Sequence, residues 1–124
     1  MTTWTQECHC MFILALLKCK QEGKVSDLGL KKEGWMLVLK DFNTASGLTV
    51  TKTQLQLQYQ TLKNKYTAFE LLKNNSGFGW NDDIGVPTAP DNVWEEVIAG
   101  NKLYAEFCTK PLFMYDELNS FFGG

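Results

Sequence analysis

No arginine occurs anywhere in the 124 residues, so every one of the 12 basic side chains is a lysine. The side chain best shaped for bidentate contacts to guanine is therefore missing. There is one histidine, His9, and no serine or cysteine is paired with it by a local motif, so no catalytic residues are assigned and the chain reads as a non-enzyme. Long apolar runs are lacking too. The longest, Met11 to Leu17, is too short to span a bilayer and is not framed as a signal peptide. No membrane association is expected. The four cysteines (Cys8, Cys10, Cys19, Cys108), without a secretory signal, read as reduced thiols of the cytosol or nucleus. Cys8 and Cys10 of "ECHC" lie about 200° apart on a helix and cannot converge with His9 on one ion. No metal and no cofactor is expected.

What is present is the composition of a globular chain, with 44% hydrophobic and 13% aromatic residues, and a length that suits one domain. The net charge of −2 hides an asymmetry. Residues 1–74 hold ten lysines and six acids, 10 − 6 = +4, and residues 75–124 hold two lysines and eight acids, 2 − 8 = −6. Such a division of sign marks two functional halves.

Helical periodicity organises the first half. A helix is expected from Thr5, whose hydroxyl can cap free N–H groups, to Gly23, with Trp4, Phe12, Leu16 and Cys19 on its apolar side. A second covers about 31–42, with Trp35, Val38, Leu39 and Phe42 inward and Gly34 as a weak point of about 1 kcal/mol. "NTASG" then reads as a turn. The third, about 52–74, opens on a capping-box pattern of Thr51 and Gln54. Leu55, Tyr59, Leu62, Tyr66 and Phe69 follow at helical spacing, although Leu55, Leu57 and Tyr59 alone would also suit a strand. Gly77 is expected to close this helix. Beyond it come a proline-punctuated connector, a short helix capped by Asp91 and carrying Trp94, a further apolar turn, and a last helix over 113–122. The fold class is all-α.

The "NNSGFGWNDD" segment lacks the following strand, loop and helix, and the lysine, of a phosphate loop. Its adjacent Asp82 and Asp83 point apart in an extended chain. Phe78 and Trp80 are expected instead to fold back on the third helix as a plug, worth roughly 3–6 kcal/mol of burial. The expected core is Trp4, Trp35, Phe42, Leu55, Leu62, Tyr66, Phe78, Trp80 and Trp94.

"WT" before the first helix, "W…LKDFN…G…T…QL…Y…LK" across the next two, then "LLKNNSGFGWND", "VW" and "KPLFMYDEL" resemble the Myb/SANT-like DNA-binding family of plants and fungi, many of whose members are associated with transposable elements. The resemblance runs from Trp4 to about Phe121. It implies a single domain over 1–124, with a three-helix helix-turn-helix core in 1–77 and, in 78–124, the aromatic plug and additional C-terminal helices. It also implies a nuclear protein, concerned with transcription or transposition, that binds double-stranded DNA through its third helix.

On that helix Gln54 and Gln58 carry amides suited to adenine, and Thr61 is a further hydrogen-bonding group. Lys52, Lys63 and Lys65 are expected to hold phosphates, with Lys31 and Lys32 as outer clamps. The same residues read equally well as the solvated side of a helix. The acidic half supports a second reading, an interaction module for a basic protein such as a histone tail or a transposase.

Overall fold

The computed structural model describes residues 4–26, 29–75 and 77–123. The described residues form five α-helices, one 3₁₀ helix and two very short hairpins: α1 (Gln6–Gln21), β1 (Val25–Ser26), β2 (Gly29–Leu30), α2 (Lys32–Ser46), α3 (Lys52–Lys73), β3 (Gly79–Asn81), β4 (Val86–Thr88), α4 (Asp91–Gly100), the 3₁₀ helix Lys102–Cys108 and α5 (Tyr115–Phe122). This is an all-α arrangement with further helices C-terminal to the first three. Two compact units divide it, Met1–Gln60 with Asp116–Gly124, and Thr61–Tyr115. The division falls inside α3.

In the first unit, α1 starts where the threonine cap directs, with the Cys8 N–H donating to Thr5 Oγ1 at 3.2 Å. Its apolar side presents Phe12, Ile13, Leu16 and Cys19, and α2 meets it with Trp35, Val38 and Phe42, all buried. Trp4 is half-buried; its ring stacks on Phe42 at 4.9 Å and meets Phe12 edge-on at 5.7 Å. Tyr59, near the end of this unit's share of α3, packs edge-on against Trp35 at 5.4 Å and Phe121 at 6.0 Å. Lys20 fastens α5 from the other side, donating to the carbonyls of Ser120 and Phe121 at 2.6 and 3.1 Å. A cation at a helix C-terminus satisfies carbonyls that lack intrahelical partners.

Two expectations fail here. "NTAS" is the last turn of α2, not a turn segment, and the helix stops only at Gly47, left-handed at φ +74°, whose N–H donates to the Asn43 carbonyl at 3.0 Å. Gly34 is no weak point. It is buried, and a Cβ there would lie 2.7 Å from the Lys24 carbonyl and 2.9 Å from Cys19 Sγ. Its missing side chain lets α2 approach α1 and the chain that follows it.

In the second unit, Phe69 is the centre of an aromatic cluster, with Phe107 at 5.0 Å, Tyr115 at 5.3 Å and Trp80 at 5.8 Å. Leu62, Leu72, Val86 and Trp94 are buried as well, while Tyr66 is half-buried and stacks on Tyr115. The plug is only partly as expected. Trp80 reaches Phe69 of α3 but stays 39% exposed, so it is a cover and not core. Half-buried Phe78 meets Trp94 of α4 edge-on at 5.1 Å. The path between them is a hairpin and not a simple extended segment. β3 pairs antiparallel with β4, and Asn81 shapes the turn by accepting the N–H of Asp83 on its side chain and that of Gly85 on its carbonyl. The chain leaves α3 through Asn75, whose side-chain oxygen accepts the Gly77 N–H at 2.8 Å. Asp91 is the first residue of α4 rather than its cap; Pro90 holds that place without a side-chain bond.

Candidate nucleic-acid interface

The entry to α3 is built by side chains. Asn43, at the end of α2, donates through its amide to the Val50 carbonyl at 3.3 Å and accepts the Val50 N–H at 3.0 Å. This two-bond clasp closes the turn between helices two and three and leaves Val50 buried. Immediately after it, Thr51 and Gln54 form a reciprocal capping box. Thr51 Oγ1 accepts the Gln54 N–H at 3.2 Å, and Gln54 Oε1 accepts the Thr51 N–H at 2.8 Å. Two otherwise orphaned donors are satisfied, and the direction of α3 is set by the turn before it.

The bond made by Gln54 changes what it can offer a base. Adenine recognition by a glutamine needs both ends of the amide. Gln54 Oε1 is engaged in the cap, so only its NH₂ is available without opening the box. Gln58 is half-buried at the flank of the helix. The outward face of the first turns consists instead of Thr53, Gln56, Leu57 and Gln60, all exposed. Thr53, Gln56 and Gln60 were missed from sequence because polar residues run right round this stretch. Only burial of Leu55 shows which side faces out.

Lys52 opens α3 and Lys32 opens α2. Both are exposed, and among the described residues neither makes an ion pair or hydrogen bond. A cation at a helix N-terminus opposes the macrodipole, typically by 0.3–1 kcal/mol. The same position, with outward N–H groups, suits an anion. Lys31 is exposed and its ammonium lies 3.5 Å from the Gly23 carbonyl. Between Lys52 and Phe69 the helix carries no carboxylate.

In the second unit Lys63 and Thr61 are exposed. Lys63 rims a shallow groove of about 380 Å³ that also involves Asn64, Leu71, Asn101 and Tyr104. Lys65 is half-buried and pairs with Glu106 at 3.5 Å. Lys73 is held differently. It donates to the Tyr115 hydroxyl at 3.1 Å and lies over the Tyr115 and Trp80 rings at 4.7 and 5.6 Å, and the Tyr115 hydroxyl donates in turn to Glu70. The bond to Tyr115 pushes the Lys73 pKa up. Burial, then the bond to Glu70, pushes the Tyr115 hydroxyl above the ordinary tyrosine range. That cluster ties α3, β3 and Tyr115 together.

Residues 3–97 match the Myb/SANT-like DNA-binding domain family. The chain belongs to that family. An "L10-interacting MYB domain-containing protein" of Arabidopsis thaliana is 25% identical over 121 residues, 98% of this chain and 27% of its own length. The chain therefore spans about a quarter of that relative. No solved structure matches it. As a Myb/SANT-like domain the chain is a DNA-binding type of module. Among the described residues no helix is long and apolar enough to cross a membrane.

Proposed function

We propose that the domain binds double-stranded DNA by placing the first turns of α3 in the major groove. Lys52 and Lys32, with Lys31 beside the latter, hold phosphates at the two helix starts, and Lys63 continues the contact along α3. The observation that carries this reading is Lys52: an exposed cation without a partner among the described residues, at the N-terminus of a helix free of carboxylate for its first four turns. The roles of Gln54, Gln58, Thr61 and Lys65 are secondary, since Gln54 is engaged in the cap and Lys65 with Glu106. On this reading the protein works in the nucleus, at promoters or transposon ends.

Titration of the chain with duplex at low salt, followed by backbone amide shifts, tests it. Shifts are expected to cluster in residues 51–61 and at Lys31 and Lys32. Failure to bind any duplex at low salt overturns the reading. Lys52→Ala with Lys32→Ala should weaken binding and flatten the dependence of log K on log salt by about 1.8, near 0.9 for each phosphate contact.

A second reading has its own support. The relative's name states an interaction with L10, and exposed Asp82, Asp83, Glu95 and Glu96 give the second unit an acidic surface suited to a basic protein. Charge reversal at these four positions should abolish capture of a basic partner while leaving duplex binding intact or stronger. Unchanged capture counts against it.

A further inference from the structure

Leu71, 58% exposed near the end of α3, stands where two depressions of the second unit meet, of about 380 and 460 Å³. Both are lined by Leu71, Asn101 and Tyr104. Together they form one groove between the C-terminal half of α3 and the chain that runs from α4 into the 3₁₀ helix. Lys63, Thr67 and Leu71 follow along its α3 wall at spacings of four, about 12 Å of helix.

Gly100 ends α4 on the opposite wall. Its φ is not left-handed, and a Cβ there would meet nothing within 4 Å. Neither backbone conformation nor internal packing calls for glycine at this position, and in a helix glycine is less favourable than alanine. Its missing side chain leaves open the depression that it lines with Leu71, Val97 and Tyr104. The charged groups on the groove are Lys63 at one end and Glu96 at the other, both exposed and neither in an ion pair among the described residues. A complementary occupant is apolar in the middle, basic at the Glu96 end and acidic at the Lys63 end. No strand lines the groove among the described residues, so an extended peptide would find no ladder for its backbone, whereas a helix satisfies its own.

We infer that this groove receives an amphipathic helix of a partner protein, with a leucine-sized side chain over Gly100 against Leu71 and Tyr104 and a lysine or arginine at Glu96. The inference rests on the reading of the second unit as a docking surface for a basic protein, and it gives that partner its form. Lys63 serves this occupant or a phosphate, one at a time.

The test starts from a displayed pool of alanine-rich helical peptides with one face randomised, carried through rounds of binding to the chain. Recovered peptides should share a large apolar residue flanked at helical spacing by a base on one side and an acid on the other. Titration with one such synthetic peptide should move backbone amides in residues 63–75 and 96–104. Gly100→Leu should weaken that peptide about tenfold while the urea midpoint holds, since the added side chain enters open space. Gly100→Ala should raise the midpoint and weaken the peptide less. Glu96→Lys should also weaken it, and a peptide whose base is replaced by glutamate should recover the loss. Recovered peptides without a shared pattern, shifts elsewhere, or an unchanged affinity in Gly100→Leu overturns the inference. If charge reversal at Asp82, Asp83, Glu95 and Glu96 still abolishes capture of a basic protein, the broader reading stands without it; if that capture is unchanged as well, both fall. A dimer of the chain that Gly100→Leu dissolves would give the groove to a second copy, which also overturns the inference.

Discussion

A methyl group at position 34 has no room: the Lys24 carbonyl oxygen would stand 2.7 Å away and Cys19 Sγ 2.9 Å. Neither neighbour yields easily. The Lys24 carbonyl accepts the Lys31 N–H at 3.1 Å, and the Lys24 N–H donates to the Cys19 carbonyl at 3.1 Å. Two effects oppose each other in Gly34→Ala. Helix propensity favours alanine by about 1 kcal/mol, whereas overpacking costs typically 1–3 kcal/mol. The clash involves backbone, so the second should prevail, with a net loss of about 1–2 kcal/mol read as a lower urea midpoint at unchanged slope. A midpoint that rises would show that propensity wins. Tyrosines give a second prediction at this scale. Burial pushes the hydroxyls of Tyr59, Tyr66 and Tyr115 above the ordinary value of 10.0. Because the folded state holds the proton more tightly, stability is fully present below pH 10 and declines as pH rises past it. Tyr59→Phe should blunt that decline, measured as urea midpoints across the alkaline range; an equal decline in the variant would assign it to other groups.

At the level of elements, the capping box separates folding from binding. Gln54→Glu keeps the reciprocal bond, since glutamate serves the same position, and adds a negative charge to the first turn, which the helix dipole favours. Stability should hold or rise by a few tenths of a kcal/mol. Duplex affinity should fall, because in the proposed pose that charge faces the phosphates. Thr51→Ala, in contrast, should cost about 1 kcal/mol of stability. Equal affinity for duplex in wild type and Gln54→Glu would remove the start of α3 from the interface. These long elements were legible in the sequence because a periodic face repeats over several turns: the Thr5 cap, the Thr51–Gln54 box and the Leu55-to-Phe69 stripe all appear where residue type alone directs. The hairpins were not, since two- and three-residue strands are too short to leave an alternating pattern. The end of α2 misled for a related reason. Asn43 and Ser46 are turn formers by composition, yet here they are helical while their side chains bond Val50 and Leu48 beyond the helix. Trp80 misled through size alone, for a large ring can cover Phe69 and still be 39% exposed.

For the whole chain the deciding quantity is where its charge is left unneutralised. A net charge of −2 opposes association with a polyanion, so binding depends on the lysines that have no internal acid. Lys65 is the case in which that balance can be moved by one atom. Its partner Glu106 lies 3.5 Å away, and the two side chains are 32% and 45% exposed, the setting of a surface ion pair worth about 0–1 kcal/mol. Glu106→Gln should therefore leave the urea midpoint nearly unchanged. It releases a lysine on α3 and lowers the overall repulsion by one charge. If the released ammonium reaches a phosphate, duplex affinity at low salt should rise several-fold, and the salt slope should steepen by about 0.9. Lys65→Ala then provides the complementary arm: in the wild-type background it should change the slope little while Glu106 competes for the ammonium, and in the Glu106→Gln background it should return the slope to its original value. A steeper slope that survives Lys65→Ala in that background would mean that the gain comes from the lost carboxylate alone, and would remove Lys65 from the proposed phosphate contacts.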